Sequence, residues 1–231
     1  MFQGKTKAVT FSYDDGVTQD RRLVDMFNRY GLKATFNLNS GLLGAPGTVR
    51  IEGRPIAHNK VPAAQVRALY AGHEIAAHTL THPMLTDLPD EEICRQVEQD
   101  RLALSELAGY EVTGMAYPGG DPNYNDHVAG VIRAQTGVKY ARTIRCCYHF
   151  SPQADLYRFQ PSVYHMEWEK LFSLGEQFLK LDAETPQVLY VWGHSYEFDY
   201  ENTWDKFEEF CRLISGRPDI FYGTNRQVFG L

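Results

Sequence analysis

Strand-like and helix-like segments alternate along the whole of this 231-residue chain, and that alternation limits the folds open to it more than any other feature. Ala8-Val9-Thr10-Phe11-Ser12-Tyr13 alternates in the manner of a strand. Arg21 to Tyr30 then sets Leu23, Met26 and Phe27 at helical spacing, and Gly31 supplies a stop. Ala34-Thr35-Phe36-Asn37-Leu38 follows at once as a second strand. Further strands are expected at residues 73–77, 112–117, 138–143, 157–163, 188–192 and 220–222. Amphipathic helices are expected between several of them, including residues 90–107 and 204–214. No linker, charge block or repeat divides the pattern, so the expectation is an α/β fold in a single domain over residues 1–231. Seven or eight such units suggest a barrel. An open doubly wound sheet would instead place a glycine-rich phosphate turn after the first strand, where this chain has Tyr13-Asp14-Asp15-Gly16. Residues 41–62 are broken by Gly41, Gly44, Pro46, Gly47, Gly53, Pro55 and Pro62, and read as a long loop near the site, a candidate lid.

Composition narrows the functional classes. Apolar residues make up 43% and charged residues 23%, the balance of a globular chain with one substantial core. A net charge of −6 with acids and bases interspersed leaves no basic stripe to neutralise phosphates, so nucleic acid is not an expected partner. No apolar run approaches the roughly 20 residues that span a bilayer, and Met1-Phe2-Gln3-Gly4-Lys5 lacks a signal-peptide core; a cytoplasmic location is expected and no membrane partner. Cys94, Cys146, Cys147 and Cys211 show neither a CxxC spacing nor the density of a disulfide scaffold and are expected to be reduced.

Chemistry-bearing residues fall just after the strands, where α/β barrels build their sites. Asp14 and Asp15 follow the first strand, His78 and His82 the third, and Pro118-Gly119-Gly120 the fourth; Arg142 ends the fifth, His165 follows the sixth and His194 the seventh. Adjacent side chains on an extended segment point to opposite sides, so the two aspartates divide the labour: one can bind a cation while the other stands near its water as a general base. Taken alone, Asp15-Gly16 suits an Asx-turn equally well. His78-Thr79-Leu80-Thr81-His82-Pro83 tips the balance, because an i, i+4 histidine pair sets two imidazoles on one side of a helical turn, as in HExxH zinc sites. Pro83 biases His82 out of the α region, which favours a single turn or structured loop over a long helix. Two histidines and one carboxylate leave positions open for water and substrate, the pattern of a catalytic zinc site. His194 closes the apolar run Leu189-Tyr190-Val191-Trp192-Gly193 and is the best candidate for a general acid, although taken alone it fits a strand-end histidine hydrogen-bonded for structure equally well.

Thr10-Phe11-Ser12-Tyr13-Asp14-Asp15-Gly16 resembles the opening motif of the polysaccharide deacetylases with the NodB-homology domain, carbohydrate esterase family 4. His78 to His82 resembles their H(S/T)xxH motif, and the strand ending in His194 resembles their last motif. The resemblance implies a distorted (β/α)7-type barrel, TIM-barrel-like, forming one NodB-like unit. It assigns Asp14 as base, Asp15, His78 and His82 as ligands of one divalent metal, and His194 as acid. The implied metal is zinc, with cobalt, nickel or iron as alternatives. The implied reaction is removal of N-acetyl groups from an amino-sugar-containing oligo- or polysaccharide.

Two departures stand out. The third motif, R-x-P-Y-G in the family, reads Ala116-Tyr117-Pro118-Gly119-Gly120 here, so its arginine is absent. The Gly119 amide remains available to an oxyanion, and Arg142 is a candidate replacement partner for Asp14, with an ordinary surface salt bridge as its alternative. The fourth motif, D-x-x-D-W, has only Glu167-Trp168 as an echo, leaving the acid histidine without an assigned carboxylate. Hydrolysis of a cyclic amide or ureide, as in allantoinase-like members, or of an O-acetyl ester stands as the alternative, and a non-catalytic carbohydrate-binding relic as a third reading. Substrate, metal and oligomeric state are left open by the motifs.

Overall fold

A computed structural model describes residues 2–231. In chain order the strands are β1 (Lys7–Asp14), β2 (Ala34–Leu38), β3 (Thr48–Ile51), β4 (Arg54–Ala57), β5 (Glu74–Ala77), β6 (Gly114–Ala116), β7 (Tyr140–Arg142), β8 (Val163–Tyr164), β9 (Gln187–Gly193) and β10 (Ile220–Tyr222). The α-helices are α1 (Asp20–Arg29), α2 (Val66–Leu69), α3 (Asp90–Ala108), α4 (Asp126–Gln135), α5 (Trp168–Lys180), α6 (Glu197–Glu201), α7 (Trp204–Ile214) and α8 (Asn225–Phe229). The main sheet is parallel throughout and runs β7-β6-β5-β2-β1-β9-β8, with β10 paired to the first residues of β1.

β1 is buried along its whole length, as expected of a parallel strand covered on both faces. Its alternation then decides which chemistry faces which way. Val9, Phe11 and Tyr13 enter the large apolar core with Phe27 of α1 and Phe207 of α7. Thr10, Ser12 and Asp14 take the opposite face, where their partners are Asn225 and Asn37. That inner face is polar to a degree the strand patterns alone do not indicate. Glu74 accepts from Thr35 and Tyr140, and Asn225 donates to Tyr190, so these buried groups are hydrogen-bonded. Burial raises the Glu74 carboxyl above the ordinary glutamate value, although hydrogen bonds from Arg226, Thr35 and Tyr140 oppose the shift.

The curled sheet forms the expected distorted barrel, and one segment nearly closes it. Phe159 bridges to Arg142 of β7, and a few residues later Val163 and Tyr164 pair with Val191 and Trp192 of β9. The strand expected at 157–163 is therefore not continuous: Leu156–Arg158 is a 3-10 turn, and regular pairing begins only at Val163. Pro161 in the middle has no N–H to give a ladder, which breaks the run. Helix ends follow their local chemistry. α3 opens with Asp90, Glu91 and Glu92 against the helix dipole and stops at Gly109, whose φ of 79° suits the left-handed cap.

Residues 41–62 are not a structureless loop. β3 and β4 form an antiparallel hairpin, and Glu52 and Gly53 both have positive φ (46° and 82°), the geometry of a two-residue type I′ turn. The prolines and glycines of this stretch hide the short strands from a periodicity reading. The hairpin tip is fastened to α6: Tyr200 donates to Glu52 and lies under Arg54, while Gln19 bonds both Ala57 and Asp199.

Candidate active site

Asp14 ends β1 on the inner face of the barrel. One carboxylate oxygen accepts from Nδ2 of Asn37 at 2.8 Å, its partner in the β1–β2 register, and the other accepts from Arg142. The Arg142–Asp14 pair is buried, with side-chain exposures of 1% and 2%, so Arg142 is not an ordinary surface residue. Its guanidinium lies 4.6 Å from the centre of the Trp192 ring. Burial by itself would raise the Asp14 carboxyl, but Arg142, His78 and His194 outweigh it and hold the group below its ordinary value, hence ionised at neutral pH.

His194 follows β9, and its Nε2 lies 3.9 Å from Asp14. On its other side Nδ1 is 3.2 Å from Oε2 of Glu197, near enough to pair as ions, and the His194 backbone N–H donates to the same oxygen. Burial opposes a charged imidazole here, yet Glu197, Asp15 and Asp14 prevail and raise His194 to about 9. Glu197 also accepts from Nε2 of His165 at 2.7 Å and from the Tyr164 hydroxyl. Glu167 does not serve His194; it pairs on the surface with Tyr148 and Lys170.

The second cluster is Asp15, His78 and His82, each offering a donor atom within 4.8 Å of the others. His78 and His82 do not lie on a helical turn. Thr79 and His82 have φ of 68° and 62°, and the segment is a loop pinned from outside. Asp100 of α3 accepts from the backbone N–H groups of Ser40 and His78, and Asn39 donates to the carbonyls of His78 and Thr79. Nδ1 of His78 lies 2.9 Å from the Ala116 carbonyl, which can only accept; the proton is therefore on Nδ1 and the lone pair on Nε2. Burial depresses both imidazoles, His78 to about 4, so both are neutral at ordinary pH.

Asp15, at φ 82°, turns its carboxylate toward residues that return from the hairpin. Nε2 of His58 is 3.1 Å from one oxygen, and Nζ of Lys60 is 3.2 Å from the other and 2.7 Å from the Asp15 carbonyl. Gly119 follows Pro118 in the loop after β6. Its φ is +80°, its carbonyl accepts from Asn123, and a Cβ there would come within 2.3 Å of the Met84 sulfur. Among the described residues none of these contacts ties it to the carboxylates or imidazoles. A cleft of about 400 Å³ opens over Asp15 and His82, walled by Leu42, Pro46, His58 and Tyr196.

Residues 3–141, well over half of the chain, match the sequence family of polysaccharide deacetylases. The chain belongs to that family. It is 28% identical over 120 residues to the peptidoglycan-N-acetylglucosamine deacetylase PgdA of Listeria monocytogenes, a match that covers 51% of this chain and only 22% of PgdA. Among solved structures, a candidate polysaccharide deacetylase from Mycobacterium smegmatis superposes with a TM-score of 0.66 at 16% identity, covering 97% of this chain and 89% of that one. The family 4 carbohydrate esterase domain of a xylanase from the hindgut metagenome of Trinervitermes trinervoides gives 0.60 at 16%, covering 97% and 90%. At such identities the two structures establish a shared fold. Their agreement extends the deacetylase fold across almost the whole chain, past the end of the sequence match.

Within this deacetylase fold, sequence reasoning missed four residues at the site: Asn37, His58, Lys60 and Glu197. Glu197 left a signal, since His194-x-x-Glu197 is the spacing at which side chains meet over one turn. Asn37 was visible as a polar residue inside an apolar strand. Lys60 and His58 carried none, because a basic residue in a loop is usually solvated.

Proposed function

We propose that this chain, as one unit over residues 1–231, is a metal-dependent hydrolase that removes N-acetyl groups from an amino-sugar-containing oligo- or polysaccharide. The observation that carries the proposal is the placement of Asp14. It lies between Arg142 and the raised His194, on the residue adjacent to an Asp15-His78-His82 donor set. Those donors suit a divalent ion of borderline softness: two neutral imidazoles, one with its lone pair held outward by Ala116, and one carboxylate. Zinc is the first choice, with cobalt, nickel or iron as alternatives. When bound, such an ion supplies Lewis-acid polarisation of the acetamide carbonyl and a more acidic water.

The protein's own residues do the rest. Asp14, kept ionised by Arg142 and oriented by Asn37, takes a proton from the attacking water at its carboxylate. His194, held protonated beside Glu197, gives its proton to the departing sugar nitrogen. Arg142 acts as a positioning residue in place of the absent motif arginine. The amide of Gly119 is a candidate donor to the developing oxyanion. Hydrolysis of a cyclic amide or an O-acetyl ester would use the same groups and is the second reading.

The test pairs metal analysis with a substrate panel. About one divalent ion per chain is expected in the wild type and loss of it in His78→Ala. Asp14→Asn is expected to keep the metal and lose turnover, with N-acetylated sugars preferred over cyclic amides. Retained turnover in Asp14→Asn, or a wild type that takes up no ion, rules the mechanism out.

A further inference from the structure

We propose that Lys60 is a resident counter-cation of the metal pocket. Its ammonium holds the Asp15 carboxylate when no divalent cation is there, and it lowers the affinity of the pocket for one. This rests on the metal-site reading above. Lys60 is only 6% exposed, and its three protons have three acceptors: the Asp15 carbonyl at 2.7 Å, Oδ1 of Asp15 at 3.2 Å and Oδ1 of Asn39 at 3.2 Å. A lysine so placed is unusual, because long charged side chains normally reach out to solvent.

The backbone leaves it no freedom to do so. Lys60 forms an antiparallel bridge with Val17, its N–H donates to Ala45, and Val61 donates to Gly16. The residue is thereby stitched to the turn that carries Asp15. The oxygen it contacts, Oδ1, is also the one 3.7 Å from Nε2 of His82. A divalent cation entering between Asp15, His78 and His82 meets a fixed positive charge in a poorly solvated space, where charges interact far more strongly than in water. Without a metal the same charge is an asset, since the buried Asp15 carboxylate would otherwise have only His58 at 3.1 Å from Oδ2 and the more distant His82 beside Oδ1. One side chain therefore shifts two quantities in opposite directions: metal-free stability goes up and metal affinity goes down.

Opposite signs make the idea testable apart from catalysis. Lys60→Gln retains a hydrogen-bond donor and removes the charge, Lys60→Arg retains the charge, and Lys60→Met is a second neutral variant should the glutamine not fold. Zinc affinity is measured by competition with a chromophoric chelator, and thermal unfolding is followed on the metal-free proteins. The neutral variants are expected to bind zinc on the order of tenfold or more tightly and to melt lower without metal. Lys60→Arg is expected to stay close to wild type. Unchanged or weaker zinc binding in a folded neutral variant overturns the role of Lys60 and leaves the metal site standing. Absence of zinc binding in both wild type and the neutral variants overturns the site itself, and this inference with it.

Discussion

At the scale of single residues, the site works by setting charges that would each be costly alone. Asp14 is buried but matched by Arg142, and His194 is buried but matched by Glu197. Glu197 is the residue on which the proposed acid, His194, depends, because Oε2 faces Nδ1 of His194 and also receives its backbone N–H. In the metal-free protein, Glu197→Gln is therefore expected to move the His194 titration down from about 9, read by NMR of the ring. A value unchanged from wild type removes Glu197 from this role. The same pair has a stability signature. The folded-state value of His194 lies above its reference of 6.5, so the stabilisation is complete below that reference and fades as pH rises through about 9. Denaturant titrations of the metal-free wild type across this window should show the decline, and Glu197→Gln should flatten it.

Among the elements, α3 acts on the site through one buried carboxylate that bonds the backbone rather than the clustered side chains. Its Asp100 accepts two backbone N–H groups and so fixes the loop that presents His78. Burial raises the Asp100 carboxyl to about 7, the largest influence on it, with the hydrogen bonds from Ser40, His78 and Thr79 opposing. At the proposed metal site, Asp100→Ala should weaken metal binding by about 10–100-fold while leaving Asp15, His78 and His82 in the chain, as losses of outer partners commonly do. Metal titration of the folded variant checks this, and wild-type affinity would show that the loop holds itself. The β3–β4 hairpin plays a comparable part from the opposite side. Its exit strand leads directly to His58 and Lys60, and its tip is tied to α6, which carries Glu197.

For the molecule as a whole, the polar barrel interior is the feature with most consequence, because it must be satisfied from end to end. α8 completes it: the Asn225 side chain accepts from Thr10 and donates to Tyr190, and its N–H donates to Thr35. The last helix thus closes the end of the barrel away from the aspartates. Asn225→Ala would leave the Thr10 and Tyr190 hydroxyls without these partners, at a cost of roughly 1–3 kcal/mol for each group that finds no water. Equilibrium unfolding by denaturant measures the loss, and a change below ~0.5 kcal/mol would mean that water replaces the amide.

What the sequence determined by itself was everything that local rules encode. Strand and helix alternation, the stop at Gly31, the ends of the helix at 204–214 and the sets Asp14-Asp15, His78-His82 and His194 are each contained in one short stretch, where periodicity and residue type suffice. It also offered Arg142 as a partner for Asp14, but only as one of two readings. Tertiary structure alone decided the pairings. Asp14 meets Arg142 across 128 positions, Asp15 meets Lys60 across 45, and Asn37 reaches Asp14 through strand register. Register and sheet curl are set by packing over the whole barrel, and the charge balance of a buried site depends on every group brought within a few ångströms of it. For that reason the candidate residues Asp14, Asp15, His78, His82 and His194 were legible in the chain, whereas Glu197 as the carboxylate beside His194 and Lys60 as the cation beside Asp15 were not.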